Sequence, residues 1–66
     1  MKVSKDLKND IKSKRLKALE QKLVDFEISL EIAKALNDEN LIAEYKTHIE
    51  KTKTAYAAVE NYNTED

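Results

Sequence analysis

The sequence has no cysteine, no glycine, no proline and a single histidine. Without cysteine there are no disulfides and no thiolate metal ligands. With His48 alone, a zinc or iron site would rest on carboxylates, a poor basis for a structural metal, so no metal or cofactor is expected. The missing glycine and proline take away the residues that build phosphate-cradling loops, tight hairpins and flexible linkers. Every glycine-rich nucleotide motif goes with them, and an all-α chain is what remains. No apolar run approaches the length of a bilayer-crossing helix. The opening Met1-Lys2-Val3-Ser4-Lys5-Asp6 has no apolar stretch behind its charges, unlike a secretory signal. The expected setting is cytoplasmic, with no membrane partner.

A chain of 66 residues is one domain at most, and domains this small bury proportionally little surface. Disulfides, a metal or oligomerisation usually compensate. Composition removes the first two, so self-association is expected.

The stretch from Leu16 to Leu36 agrees. Leu16, Leu19, Leu23, Phe26, Leu30 and Ala33 step by three and four, which stacks them along one stripe of a helix. At about 100° per residue, Val24, Ile28, Ile32 and Ala35 fall roughly on the opposite side. One partner helix covers only one of these faces. The second is therefore expected to be an oligomer or partner interface, with self-association favoured because a small hairpin would otherwise carry an open apolar patch.

A helix is predicted from about Ser4 to Leu36, with the Ser4 hydroxyl capping free amides and Asp6 in the first turn, where the helix dipole favours negative charge. Asp10 and Lys14 stand four apart in the favourable order. The break is placed at Asn37-Asp38-Glu39, because asparagine substitutes best for glycine in the left-handed conformation that ends helices and Asp38 can cap the next one. An unbroken helix with a polar patch is the alternative. A second helix is predicted from about Glu39 to Asn61, where Ile42, Tyr45, Ile49, Thr52, Tyr56 and Val59 make a coiled-coil-like seam, widened by Leu41, His48 and Ala55. Matching lengths back from the turn puts the open end of the hairpin near Leu16. The expected organisation is a basic helical arm over residues 1–15, projecting about 20 Å, a helical hairpin over 16–61 and a disordered acidic tail over 62–66.

The net charge of −1 hides an asymmetry. Residues 1–22 hold eight basic and three acidic side chains, a balance of +5, and residues 23–66 hold four basic and ten acidic, a balance of −6. On the arm, Lys5, Lys8, Lys12 and Arg15 recur at helical spacing. Such a stripe contacts phosphates when it continues out of a dimeric bundle. It equally serves as a solvated face near acidic neighbours, and the stripe lacks aromatics and base-reading asparagine. A third surface, Asp25, Glu27, Glu31, Glu44, Glu50 and Glu60, could imitate nucleic acid, but interspersed lysines dilute its field.

His48 stands beside the seam, one turn from Glu44 and Thr52. Catalysis would need a nucleophile or second titrating group in a pocket, and a two-helix chain offers none, so no enzymatic activity is expected. The expected fold is an all-α antiparallel hairpin with a long first helix, associating as a homo-oligomer, a dimeric four-helix bundle in its simplest form. That plan is similar in architecture to the Rop family of plasmid RNA-binding regulators, and composition resembles small bacterial and phage accessory proteins. Two functions are expected to compete: an oligomeric module that regulates, inhibits or scaffolds a protein partner, and a nucleic-acid-binding regulator that uses the arm, which the Rop-like architecture implies.

Overall fold

The computed structural model describes residues 3–65, and within them the chain forms two α-helices that pack against each other. Helix α1 runs Lys5–Ala35 and helix α2 runs Glu39–Glu60. At 1.5 Å per residue, 31 residues make a rod of about 46 Å, which accounts for most of the 52 Å long axis of a molecule only 15 × 14 Å across. The single unbroken helix is ruled out by the turn.

Each helix begins as its sequence dictates. The Ser4 hydroxyl accepts the Leu7 amide at 3.1 Å, and Asp6 occupies the first turn of α1. The Asp38 carboxylate accepts the Leu41 amide at 3.1 Å. Between the helices Asn37 takes φ 54°, the left-handed region, where asparagine is among the least strained residues with a side chain. The Asp38 amide reaches back to the Ala33 carbonyl and the Asn37 amide to Lys34, so the terminal carbonyls of α1 find donors within the turn.

The seam is antiparallel: Phe26 meets His48, Glu20 meets Tyr56, and Lys12 meets Tyr62. Leu16, Leu19, Leu23, Phe26 and Leu30 of α1 lie half-buried against Ile42, Tyr45, Tyr56 and Val59 of α2. Among the described residues, only Ala33, Ile49 and Thr52 are buried. The Thr52 hydroxyl donates to the His48 carbonyl at 2.7 Å, so its burial orphans no polar atom. Two helices enclose a seam from two sides only, and the core is correspondingly thin.

In this antiparallel order the end of α2 at Glu60 falls about level with Lys14, leaving the first nine residues of α1 beyond it by about 13 Å. The chain after α2 turns along this overhang. Residues 62–65 lie beside α1 through two contacts: the Lys12 ammonium donates to the Tyr62 carbonyl at 3.0 Å, and Lys5 pairs with Glu65 at 2.8 Å. Three residues of extended chain advance about as far as seven of helix, each about 10 Å, so the tail keeps pace with the arm. Residues 1 and 2 of the expected arm and residue 66 of the expected tail lie outside the described residues.

Candidate functional site

The surface of this hairpin is uneven in kind. Large apolar side chains that stay exposed are Val3, Leu7, Ile11, Val24, Ile28, Ile32, Leu36 and Tyr62. All but Tyr62 belong to α1 or its immediate flanks. Val24, Ile28 and Ile32 are 55%, 55% and 56% exposed, and Leu36, at the end of the same helix, is 66% exposed. Ala35 is exposed alongside them. The outward side of α2 instead carries Glu44, Lys46, Thr47, Glu50, Lys51 and Thr54, with the small Ala43, Ala57 and Ala58 among them, all exposed. Apolar residues on α1 point to two sides and nearly cancel around its axis, whereas those of α2 point to one. The two helices are therefore chemically different: α2 is an ordinary surface helix, and α1 is a helix with two greasy sides.

The basic stripe lies in line with the seam rather than with the outer apolar face. Lys5 is held by Glu65 and Lys12 by the Tyr62 carbonyl. Lys8 and Lys12 are half-buried. Arg15 borders a groove of about 450 Å³ at the open end of the hairpin, walled mainly by apolar atoms of Val3, Ile11, Val59 and Tyr62, with Lys12 beside it. Lys14 pairs with Asp10 at 3.0 Å on the outer side of the same arm.

Midway along the seam is a cluster that spacing alone did not disclose. The Phe26 ring stacks on His48 with centroids 5.0 Å apart and planes 14° from parallel, and Tyr45 completes the group at 6.3 Å from Phe26. His48 also reaches Glu44 at 3.6 Å, one helical turn away. About two turns nearer the open end, the Tyr56 hydroxyl donates to the Glu20 carboxylate at 3.0 Å. That hydrogen bond, together with lesser desolvation and the nearby negative charges of Glu20 and Glu60, holds the phenol above its ordinary pKa of 10.0. Sequence placed Tyr45, His48 and Tyr56 at or beside the seam. Which of their faces meet depends on the rotation of α2, for which spacing gives no signal.

His48, Tyr45 and Phe26 pack ring against ring, and no described group of three or more His, Cys, Asp and Glu side chains is placed to hold a metal ion. No helix among the described residues is long and apolar enough to cross a membrane. Comparison with known proteins finds no matching family model, no matching curated protein and no matching solved structure.

Proposed function

We infer that this chain is a small non-enzymatic interaction module that associates with itself and, as an oligomer, regulates, inhibits or scaffolds a protein partner. The observation that carries the reading is the outer face of α1, where Val24, Ile28 and Ile32 remain more than half exposed on a chain with almost no other core. An open apolar patch on a small hairpin marks an interaction surface or an aggregation liability. Covering it also supplies burial that two helices cannot generate between themselves. Two hairpins joined through this face make a four-helix assembly, leaving the polar side of α2 outward for a partner.

Light scattering over a concentration series, at low and moderate salt, tests the reading. A dimer or larger species at micromolar concentration is the expected result. A stably folded monomer throughout that range would overturn it.

Nucleic-acid binding through Lys5, Lys8, Lys12 and Arg15 has weaker support. Lys5 and Lys12 are already engaged by the tail, and each such contact must be given up before the ammonium meets a phosphate.

A further inference from the structure

The exposed apolar residues of α1 form two clusters, one near each end of the helix, with small or polar residues in the row between them. Leu7 and Ile11 mark the first, Ile28 and Ile32 the second. Between them, at the alternating steps of three and four that define a coiled-coil seam, come Lys14, Ala18, Gln21 and Asp25. Read from either end, this row has the same order of chemistry: two large apolar residues, a charge, a small or neutral side chain. The charge at one end is positive and at the other negative.

We propose that α1 pairs with α1 of a second copy in antiparallel register, such that Leu7 meets Ile32, Ile11 meets Ile28, Lys14 meets Asp25 and Ala18 meets Gln21. The proposal rests on the self-association inferred above and specifies its geometry. A two-fold axis between Ala18 and Gln21 satisfies all four pairs, and each then occurs twice, as an isologous interface requires. A parallel pairing would instead stack Lys14 on Lys14 and Asp25 on Asp25 in the middle of the seam.

The charges of the whole helix choose the same direction. Residues 5–18 contain six basic and two acidic side chains, and residues 19–36 contain two basic and four acidic. Antiparallel packing lays the half with a balance of +4 beside the half with −2. Parallel packing opposes like halves, which complementary interfaces avoid.

Leu36 and the groove at the open end enter the same register. Leu36, the most exposed large apolar residue among the described residues at 66%, falls level with Val3 of the other copy. Val3 and Ile11 wall the groove together with Val59 and Tyr62. The second copy's Leu36 fills that groove, which gives Tyr62, 54% exposed in the single chain, an apolar neighbour. The tail thereby acts as part of the dimer surface. Since the outward side of α2 shows no exposed large apolar side chain among the described residues, the assembly is a flattened layer with the α1 pair at its centre and α2 at both edges.

A seam about 50 Å long and about 10 Å wide buries about 1,000 Å² over both copies, near the lower bound of specific interfaces. A concentration-dependent dimer in the micromolar range follows.

The absence of native cysteine makes the register directly testable. Full-length Lys14→Cys and Asp25→Cys proteins are mixed, oxidised under non-denaturing conditions and weighed by mass spectrometry, beside sedimentation of the unaltered protein. In the proposed register residue 14 faces 25, whereas 14 and 14 stand about 16 Å apart along the axis, beyond the reach of a disulfide. The expected result is mixed disulfide exceeding both homodisulfides together by tenfold or more. Dominant homodisulfides, or the statistical 2:1:1 mixture, would overturn the antiparallel register while leaving self-association intact. So would failure to cross-link when the unaltered protein sediments as a dimer. A monomeric unaltered protein would overturn the register and the functional reading together. Independently, Lys14→Glu raises the dimer dissociation constant several-fold and Lys14→Glu with Asp25→Lys restores it. A single change without effect would contradict the pairing.

Discussion

Truncating Phe26 to alanine separates the two faces of α1 most sharply. A fully buried Phe→Ala change costs about 3–5 kcal/mol. Phe26 is only partly buried, which leaves about 2 kcal/mol of that range for lost burial. Its ring also stacks on His48 at 5.0 Å and lies 6.3 Å from Tyr45, and aromatic pairs at such separations contribute about 0.5–1.5 kcal/mol beyond burial. The expected loss is about 3 kcal/mol. At about 0.05–0.15 kcal/mol per residue, a chain this size holds about 3–10 kcal/mol in total, so Phe26→Ala removes a large share of it. Urea denaturation followed by far-ultraviolet circular dichroism, at a protein concentration low enough to keep the chain dissociated, measures the difference. The matched control is Ile28→Ala on the opposite face, which changes stability under the same conditions by less than about 0.5 kcal/mol, as an exposed site should. A Phe26→Ala loss below about 1 kcal/mol, or equal losses at both positions, would refute the assignment of Phe26 to the seam that holds the hairpin together.

The turn and the surface bonds give further expectations. Asp38→Ala removes the cap on the Leu41 amide and costs about 1 kcal/mol, readable as a lower urea midpoint with unchanged slope. Asn37 stands at φ 54°, so Asn37→Gly is neutral or stabilising whereas Asn37→Val loses at least about 1 kcal/mol; equal melting temperatures for the two would show that the turn adopts another conformation. The Tyr56 phenol is raised above 10.0 chiefly by its bond to Glu20, so the stability it contributes is whole below the ordinary tyrosine pKa and is lost as pH climbs through the raised value. Glu20→Gln shifts the phenolate absorbance titration of Tyr56 downward, with Tyr56→Phe identifying its share of the signal. Lys5 and Glu65 are both well exposed, and Glu65→Gln leaves the melting temperature unchanged because exposed ion pairs contribute little.

The helices and their packing were legible in the sequence because both depend on short-range chemistry. Ser4 and Asp38 are caps by residue type, Asn37 tolerates the left-handed turn, and alternating steps from Leu16 to Ala33 and from Ile42 to Val59 fix which side of each helix turns inward. The path of residues 61–65 was not legible, because irregular chain has no period to read. One signal was present: Tyr62 is the single large apolar residue after Val59, and an aromatic ring beyond the end of a helix has reason to find apolar cover. The stacking of Phe26 on His48 was hidden for a different reason. Seam spacing places residues to within about a third of a turn, whereas ring contacts depend on the rotation of α2 within that margin.

The thin core ties folding to association. Among the described apolar residues only Ala33 and Ile49 are buried, so each seam leucine keeps one flank near water, and the hairpin alone is expected to be marginal. A dimer present at about 100 times its dissociation constant adds about 2.7 kcal/mol by mass action, close to the whole loss expected from Phe26→Ala. On the proposed α1 pairing, that variant should therefore recover much of its helicity as protein concentration rises. Ile28→Glu should not, because it removes the reaction that supplies the recovery. Melting curves for the two variants across a hundredfold range of concentration would then diverge, Phe26→Ala moving upward and Ile28→Glu staying fixed. Parallel behaviour would mean that the two sides of α1 do not divide folding from association.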